Sequence, residues 1–161
     1  MVNEPMQAQE NDLDGLIAFD MSTSGLDATM FLPDRSTQGV DPSLQLDDIT
    51  AIYTLKVGRG FAMTIREENR SLDGIKADWE RDMVWRHEII SEDAETIIVK
   101  RSLPGGDMEH YHFVMSKPSD QAPILMRSDA MQEFSLSQVE RMLNSARTFQ
   151  WNTEPIALVQ H

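Results

Sequence analysis

Three of the four histidines lie in two segments that we predict to be β-strands, one of which alternates apolar and polar residues. His110 and His112 are two residues apart in Met108–Met115, and His87 lies in Arg86–Ser91. Side chains at i and i+2 of a strand point to the same face, and two imidazoles placed in this way can share a zinc ion. The sequence therefore offers His87, His110 and His112 as a candidate small-ligand or metal-binding face, with hydrolysis as an associated activity.

The expected strand register also supports a purely structural role for these histidines. A three-residue turn at Glu92–Ala94 would place His87 opposite Val99, with His112 on the other side of Val99. His87 and His112 would then be two strands apart, roughly 9–10 Å between backbones. Arg101 would lie beside His110, and a neighbouring cation opposes metal binding. Ordinary, partly buried histidines are therefore the alternative interpretation.

Other catalytic signatures are absent from the sequence. The chain contains no cysteine and no Gly-x-Ser-x-Gly nucleophile elbow. Gly58-Arg-Gly60 and Gly105-Gly106 lack the lysine and hydroxyl residue of a phosphate-binding loop, and we interpret both as turns. We therefore predict no catalytic residue and no cofactor.

Two tryptophans follow predicted helices and are candidate partner-binding residues. Trp85 and Trp151 could serve as exposed aromatic anchors, because tryptophan is enriched at interface hot spots. The alternative is that both pack against the edge of the sheet. The eleven methionines allow the same two interpretations, either core filling or an adaptable binding surface.

The charge distribution limits the classes of partner. The net charge is −13, and the first 50 residues contain ten acids and one base, Arg35. Such a protein is repelled by phosphate backbones, which disfavours nucleic acid. The charge either keeps the surface solvated or attracts a basic partner.

No apolar run approaches the ~20 residues of a membrane span. The absence of cysteine fits a cytoplasmic protein and equally an exported one whose signal has been removed.

The segment Thr96–Met115 predicts a β-hairpin around which the rest of the chain is organised. Gly105-Gly106 can adopt positive φ and form its loop, which places Leu103 opposite Met108. One face then carries Ile97, Val99, Arg101, Leu103, Met108, His110, His112 and Val114. Large apolar residues lie on both faces, so we expect the hairpin to be covered on both sides.

The remaining strand patterns are shorter. A second hairpin is predicted around Gly58-Arg-Gly60, and we interpret Arg35–Asp48 as a surface loop. Pro123 suits either the first residues of the last strand or an edge position, because proline cannot donate to a ladder. The predicted strands outside the central hairpin are Leu16–Phe19, Leu26–Leu32, Ile49–Val57, Phe61–Arg66, Arg86–Ser91 and Ala122–Asp129.

Two helices are predicted from 3.6-residue periodicity. Ser71 can cap the first, whose apolar stripe contains Leu72, Ile75, Trp79 and Met83. Ser135 and Gln138 have the spacing of a capping box at the start of the second. The apolar face of the second helix contains Leu136, Val139, Met142, Leu143, Ala146 and Phe149.

These elements predict an α+β fold with a mostly antiparallel sheet and helices packed on it. We expect residues 1–15 to form a disordered acidic lead-in, 16–151 a single domain and 152–161 a C-terminal tail. The sequence leaves the oligomeric state undetermined.

The order of elements resembles the PsbP-like α/β/α sandwich family. The resemblance covers about residues 25–150, and it concerns pattern and order rather than a functional motif. It rests on Gly25–Asp34 as the opening strand, Val57–Phe61 as a hairpin turn, Ser71–Met83 as a helix and Phe134–Leu143 as the closing helix. The family includes a photosystem II extrinsic subunit, a Ran-binding import factor and bacterial proteins of undefined role. The resemblance implies a non-enzymatic binding or accessory module, with another protein as its partner.

Overall fold

The computed structural model describes residues 15–35, 39–119 and 121–152. Almost all of the predicted lead-in and tail therefore lies outside the described residues. The described part confirms an α+β fold with antiparallel sheets. None of the helices in these ranges is both long and apolar enough to span a bilayer.

The strands form two sheets. Their bounds are β1 Leu16–Asp20, β2 Ala28–Pro33, β3 Ser43–Asp47, β4 Ile52–Lys56, β5 Ala62–Glu67, β6 Arg86–Glu92, β7 Thr96–Ser102, β8 Glu109–Lys117, β9 Ile124–Ser128 and β10 Gln150–Trp151. A seven-stranded sheet has the order β3-β4-β5-β9-β8-β7-β6, and a three-stranded sheet has the order β1-β2-β10. A single 3₁₀ turn, Ser22–Ser24, lies between β1 and β2.

Alternate residues of the central strands bury two different faces. Helix α1, Leu72–Glu80, places Ile75 on Val114 and Leu125. Helix α2, Leu136–Ala146, packs on the opposite face, where the larger core also includes the three-stranded sheet. The large sheet is thus covered on both sides, as the two apolar faces of the central hairpin require.

The central hairpin adopts the predicted register. Arg101 pairs with His110, Val99 with His112 and Ile97 with Val114. Gly105 has a φ of 76°, a conformation that glycine adopts without steric cost.

The prediction of a loop over Arg35–Asp48 was wrong in its second half. Ser43–Asp47 forms β3 at one edge of the large sheet. The side chains of β3 are largely exposed, so the strand lacks the buried face that would appear in its sequence as apolar alternation.

Of the two placements predicted for Pro123, at the start of a strand or on an edge strand, the structure has the first. Strand β9 is an inner strand between β5 and β8 rather than an edge. Pro123 directly precedes it, where no ladder N–H is needed, and its carbonyl accepts a bond from the Glu68 N–H.

Both helices begin where their caps predict. The Ser71 hydroxyl accepts a bond from the Gly74 N–H, and Ser135 and Gln138 form the complete capping box. The expected place of Met83 in the apolar stripe was wrong. Helix α1 ends at Glu80, so Met83 leaves the helical period, and its side chain is 94% exposed.

We predict that Trp79→Ala lowers the free energy of unfolding by about 2–3 kcal/mol. Trp79 is partly buried against the Ile75 cluster, and truncating a large aromatic residue loses its apolar contacts. Urea denaturation at neutral pH measures the change. Met83→Ala is the matched control from the same predicted stripe and should change stability by less than about 0.5 kcal/mol. Equal effects of the two substitutions would contradict this placement.

Candidate functional site

Three neighbouring strands bring the histidines to the face covered by α1. His87 on β6 pairs with Arg101 on β7, and Arg101 pairs with His110 on β8. The expected pairing of His87 with Val99 was wrong, because β6 extends to Glu92 and a bulge between Ile89 and Ser91 shifts its register. The row across the sheet is therefore His87–Arg101–His110. His112 lies opposite Val99, one position further along the same face.

Arg101 is fixed at the centre of this row by three neighbours. Its Nε–H donates to His110 Nε2 at 3.1 Å, and Nη2 donates to the Ala130 carbonyl at 3.3 Å. Its guanidinium lies 4.5 Å from the centroid of the Trp85 ring, which is cation–π geometry. Because His110 Nε2 accepts from Arg101, that nitrogen is not a free ligand lone pair.

His112 is held from the side of β9. Its Nδ1 lies 2.8 Å from Ser128 Oγ, which also accepts a bond from the Phe113 N–H. Its ring meets those of His110 and Phe134 edge-on. Burial lowers the pKa of His112 to about 3, and the positive charge of Arg101 acts in the same direction. His112 is therefore neutral at physiological pH.

His87 and His110 are also kept neutral. The His87 ring stacks on Trp79 at 5.2 Å, and burial lowers its pKa against the opposing influence of Asp82, whose Oδ2 is 3.8 Å from Nε2. Burial and then Arg101 lower the pKa of His110, and Glu133 opposes them.

The polar contacts of the row leave some ring nitrogens unpaired. His87 Nδ1, His110 Nδ1 and His112 Nε2 are buried without a hydrogen-bond partner. Even so, no group of three histidine or acidic side chains within the described ranges is arranged to hold a metal ion. The arrangement presents buried, uncharged imidazoles around one cation rather than a converging ligand set.

The segment after α1 folds back over this row. Asp82 Oδ1 accepts bonds from the backbone N–H groups of Val84 and Trp85, at 2.8 and 3.0 Å. These two bonds lower the pKa of Asp82, so its carboxylate stays charged. The turn places the Trp85 ring 5.0 Å from that of His110.

The same turn exposes two apolar side chains. Met83 is 94% exposed and Val84 is 60% exposed. They border a hollow of about 320 Å³ that Trp79, Trp85, His87 and Pro104 also line. We call Met83, Val84, Trp85 and Pro104 the loop surface.

The two candidate anchor tryptophans have different environments. Trp85 is partly buried by His110 and Arg101 but still borders the hollow. Trp151 lies in β10, is 9% exposed and packs edge-on against Phe149, so it presents little aromatic surface to a partner.

Sequence reasoning missed Met83 and Val84 as surface residues. Asp82 was the available signal. It lies two residues before Val84 and three before Trp85, and at this spacing an aspartate side chain can accept bonds from backbone N–H groups and form a turn that ends a helix.

Comparison of the chain with protein-family models, with curated proteins and with solved structures finds no match.

We predict that the protein loses stability as pH falls from 6.5 to 4.5. Unfolded histidines bind protons near pH 6.5, whereas the three buried ones have lowered pKa values. The unfolded state then binds more protons, so each histidine contributes a loss of up to about 1.4 kcal/mol per pH unit. Urea denaturation across this window measures the loss, above the range in which most aspartates titrate.

His112→Asn provides the matched comparison for this prediction. Asparagine can retain a partner for Ser128 but does not titrate. The free energy of unfolding of the His112→Asn variant should depend on pH less steeply than that of the wild type between pH 6.5 and 4.5. Identical slopes for the two proteins would show that His112 does not contribute to the loss of stability.

Proposed function

We propose that the protein is a PsbP-like, non-enzymatic binding or accessory module that contacts another protein through the loop surface. The observation that carries this proposal is the pair Met83 and Val84, exposed at the margin of a hollow lined by Trp79 and Trp85. Contiguous exposed apolar side chains rimmed by polar residues are typical of interaction sites.

The construction of the loop surface supports this proposal. Arg101 and His110 hold Trp85 from beneath, and Asp82 fixes the backbone that carries Val84. A binding surface whose parts are already ordered loses less conformational entropy on association. Met83 adds a flexible apolar side chain that can fit an irregular partner.

The contacts of the histidines favour this function over the small-ligand or metal-binding alternative. Arg101 donates to His110, and Ser128 contacts His112, so one nitrogen of each ring already has a protein partner. The net charge of −13 disfavours nucleic acid and favours a partner with basic residues beside its apolar ones.

A site-specific cross-linking experiment tests the loop surface. A photoreactive amino acid at position 83, in the full chain expressed in its own host, should cross-link to a discrete protein partner. Met83→Ser with Val84→Ser should abolish co-purification of that partner without a change in melting temperature, because both side chains are exposed. Val40→Ser with Ile49→Ser is the matched control, since these exposed apolar residues flank β3 at the opposite edge of the large sheet, and it should retain the partner.

Two outcomes would contradict the proposal. Equal loss of the partner in both double variants would show a non-specific apolar effect. Native mass spectrometry of the chelator-free protein could instead reveal a metal or small molecule that His110→Ala with His112→Ala removes from a folded chain. That result would favour the alternative function.

A further inference from the structure

One hydrogen bond beneath the loop surface depends on the protonation state of His110. His110 Nε2 accepts from the Arg101 Nε–H at 3.1 Å, and the His110 ring lies 5.0 Å from that of Trp85. The Arg101 guanidinium contacts the same Trp85 ring, 4.5 Å from its centroid. Side chains from β8, β7 and the turn after α1 therefore meet at a bond that exists only while His110 Nε2 carries no proton.

Protonation of His110 would remove this bond and add a second cation. An imidazolium donates from both ring nitrogens, so Arg101 would meet a donor in place of its acceptor. Two positive charges at this separation repel each other more strongly than one aromatic face attracts either of them. Trp85 rests on both groups, so the separation of His110 from Arg101 withdraws part of the support beneath its ring.

The other titratable groups of the row do not have this effect. Protonated His87 would gain attraction from Asp82, whose Oδ2 is 3.8 Å from its Nε2, and Asp82 fixes the turn that carries Trp85. Burial lowers the pKa of His112 to about 3, so His112 stays neutral in mild acid.

Charged and titratable groups reach His110 from every side of the row. They are Arg101 from β7, His87 from β6, His112 beside it on β8, Glu133 from the segment before α2 and Asp82 from the turn after α1. Burial and then Arg101 lower the pKa of His110, and Glu133 raises it. Asp129, at the start of the segment that contains Glu133, accepts a bond from the Met131 N–H.

We propose that His110 is a proton-sensitive switch whose protonation separates it from Arg101 and releases Trp85, so that the loop surface loses its shape and its partner in mild acid. The release of Trp85 follows from the contacts, and the loss of a partner rests on the proposed function. The closed form, in which Nε2 accepts from Arg101, binds the proton less readily than the open form. The loop surface is therefore closed above about pH 6.5 and opens progressively below it.

Fluorine NMR of the full chain labelled with 5-fluorotryptophan tests the release. Replacing Trp79, Trp85 and Trp151 singly with phenylalanine assigns the three signals. Between about pH 7.5 and 5, the Trp85 signal should become more exposed to solvent, measured as its shift between H₂O and D₂O. Its midpoint should coincide with the titration of the His110 ring, whereas Trp151, packed on Phe149, should not change. A Trp85 signal that stays unchanged, or that changes only together with Trp151, would overturn the proposal.

His110→Gln tests whether the proton on this residue is the cause. The glutamine carbonyl can accept from Arg101 but takes up no proton, so the Trp85 signal should keep its neutral-pH position throughout. His87→Gln is the matched control, because His87 lies on the other side of Arg101 in the same row, and it should keep the acid transition. A transition that persists in folded His110→Gln would overturn the proposal. If that variant does not fold, the coincidence of the His110 and Trp85 midpoints in the wild type decides the question.

Cross-linking from position 83 distinguishes this inference from the proposed function. The wild-type yield should fall by up to about tenfold for each pH unit below the His110 midpoint, whereas the His110→Gln chain should retain its yield. Equal wild-type yields above and below that midpoint would overturn the switch and leave the proposed function intact. A Trp85 transition without a cross-link at any pH would contradict the proposed function and not the release of Trp85.

Discussion

The guanidinium of Arg101 between Trp85 and His110 is the contact on which this side of the molecule depends. It joins the centre of the sheet to the segment that follows α1. Arg101 is half-buried and keeps its charge at accessible pH, so its surroundings must supply acceptors and aromatic faces. His110, the Ala130 carbonyl and Trp85 supply them. A lysine would lack the planar group that serves all three.

Burial and the nearby charge of Arg101 together explain why the histidines remain uncharged. Burial is the first cause of the lowered pKa at each of them, and Arg101 adds repulsion against a second positive charge. An imidazole that is neutral can accept from Arg101, whereas an imidazolium could not. The neutral His110 ring therefore accepts the bond that Arg101 donates, and the row carries one half-buried positive charge rather than several. Asp82 balances that charge from the covering segment.

The sequence could predict those parts of the fold that local chemistry determines. The register of the central hairpin follows from the Gly105-Gly106 loop and the two-residue period of strand side chains, and the helix starts follow from Ser71 and Ser135. Strand β3 was missed because an exposed edge strand has no apolar face, and the position of β9 depends on long-range pairing. The row of side chains was half predicted. The Arg101–His110 neighbours followed from the hairpin, whereas the position of His87 depended on a bulge that leaves no signature in residue type.

The fixed row and the exposed surfaces are linked by α1. Trp79 stacks on His87 within the sheet, while Lys76 on the same helix reaches Glu92 at its edge. Directly after the helix, Asp82 turns the chain so that Trp85 faces inward and Met83 faces solvent. An apolar core could hold the helix with equal free energy, but hydrogen bonds and aromatic stacking also fix the direction of each ring. The polar row therefore holds the loop surface on a rigid support, which is what the proposed recognition of a protein partner at that surface would require.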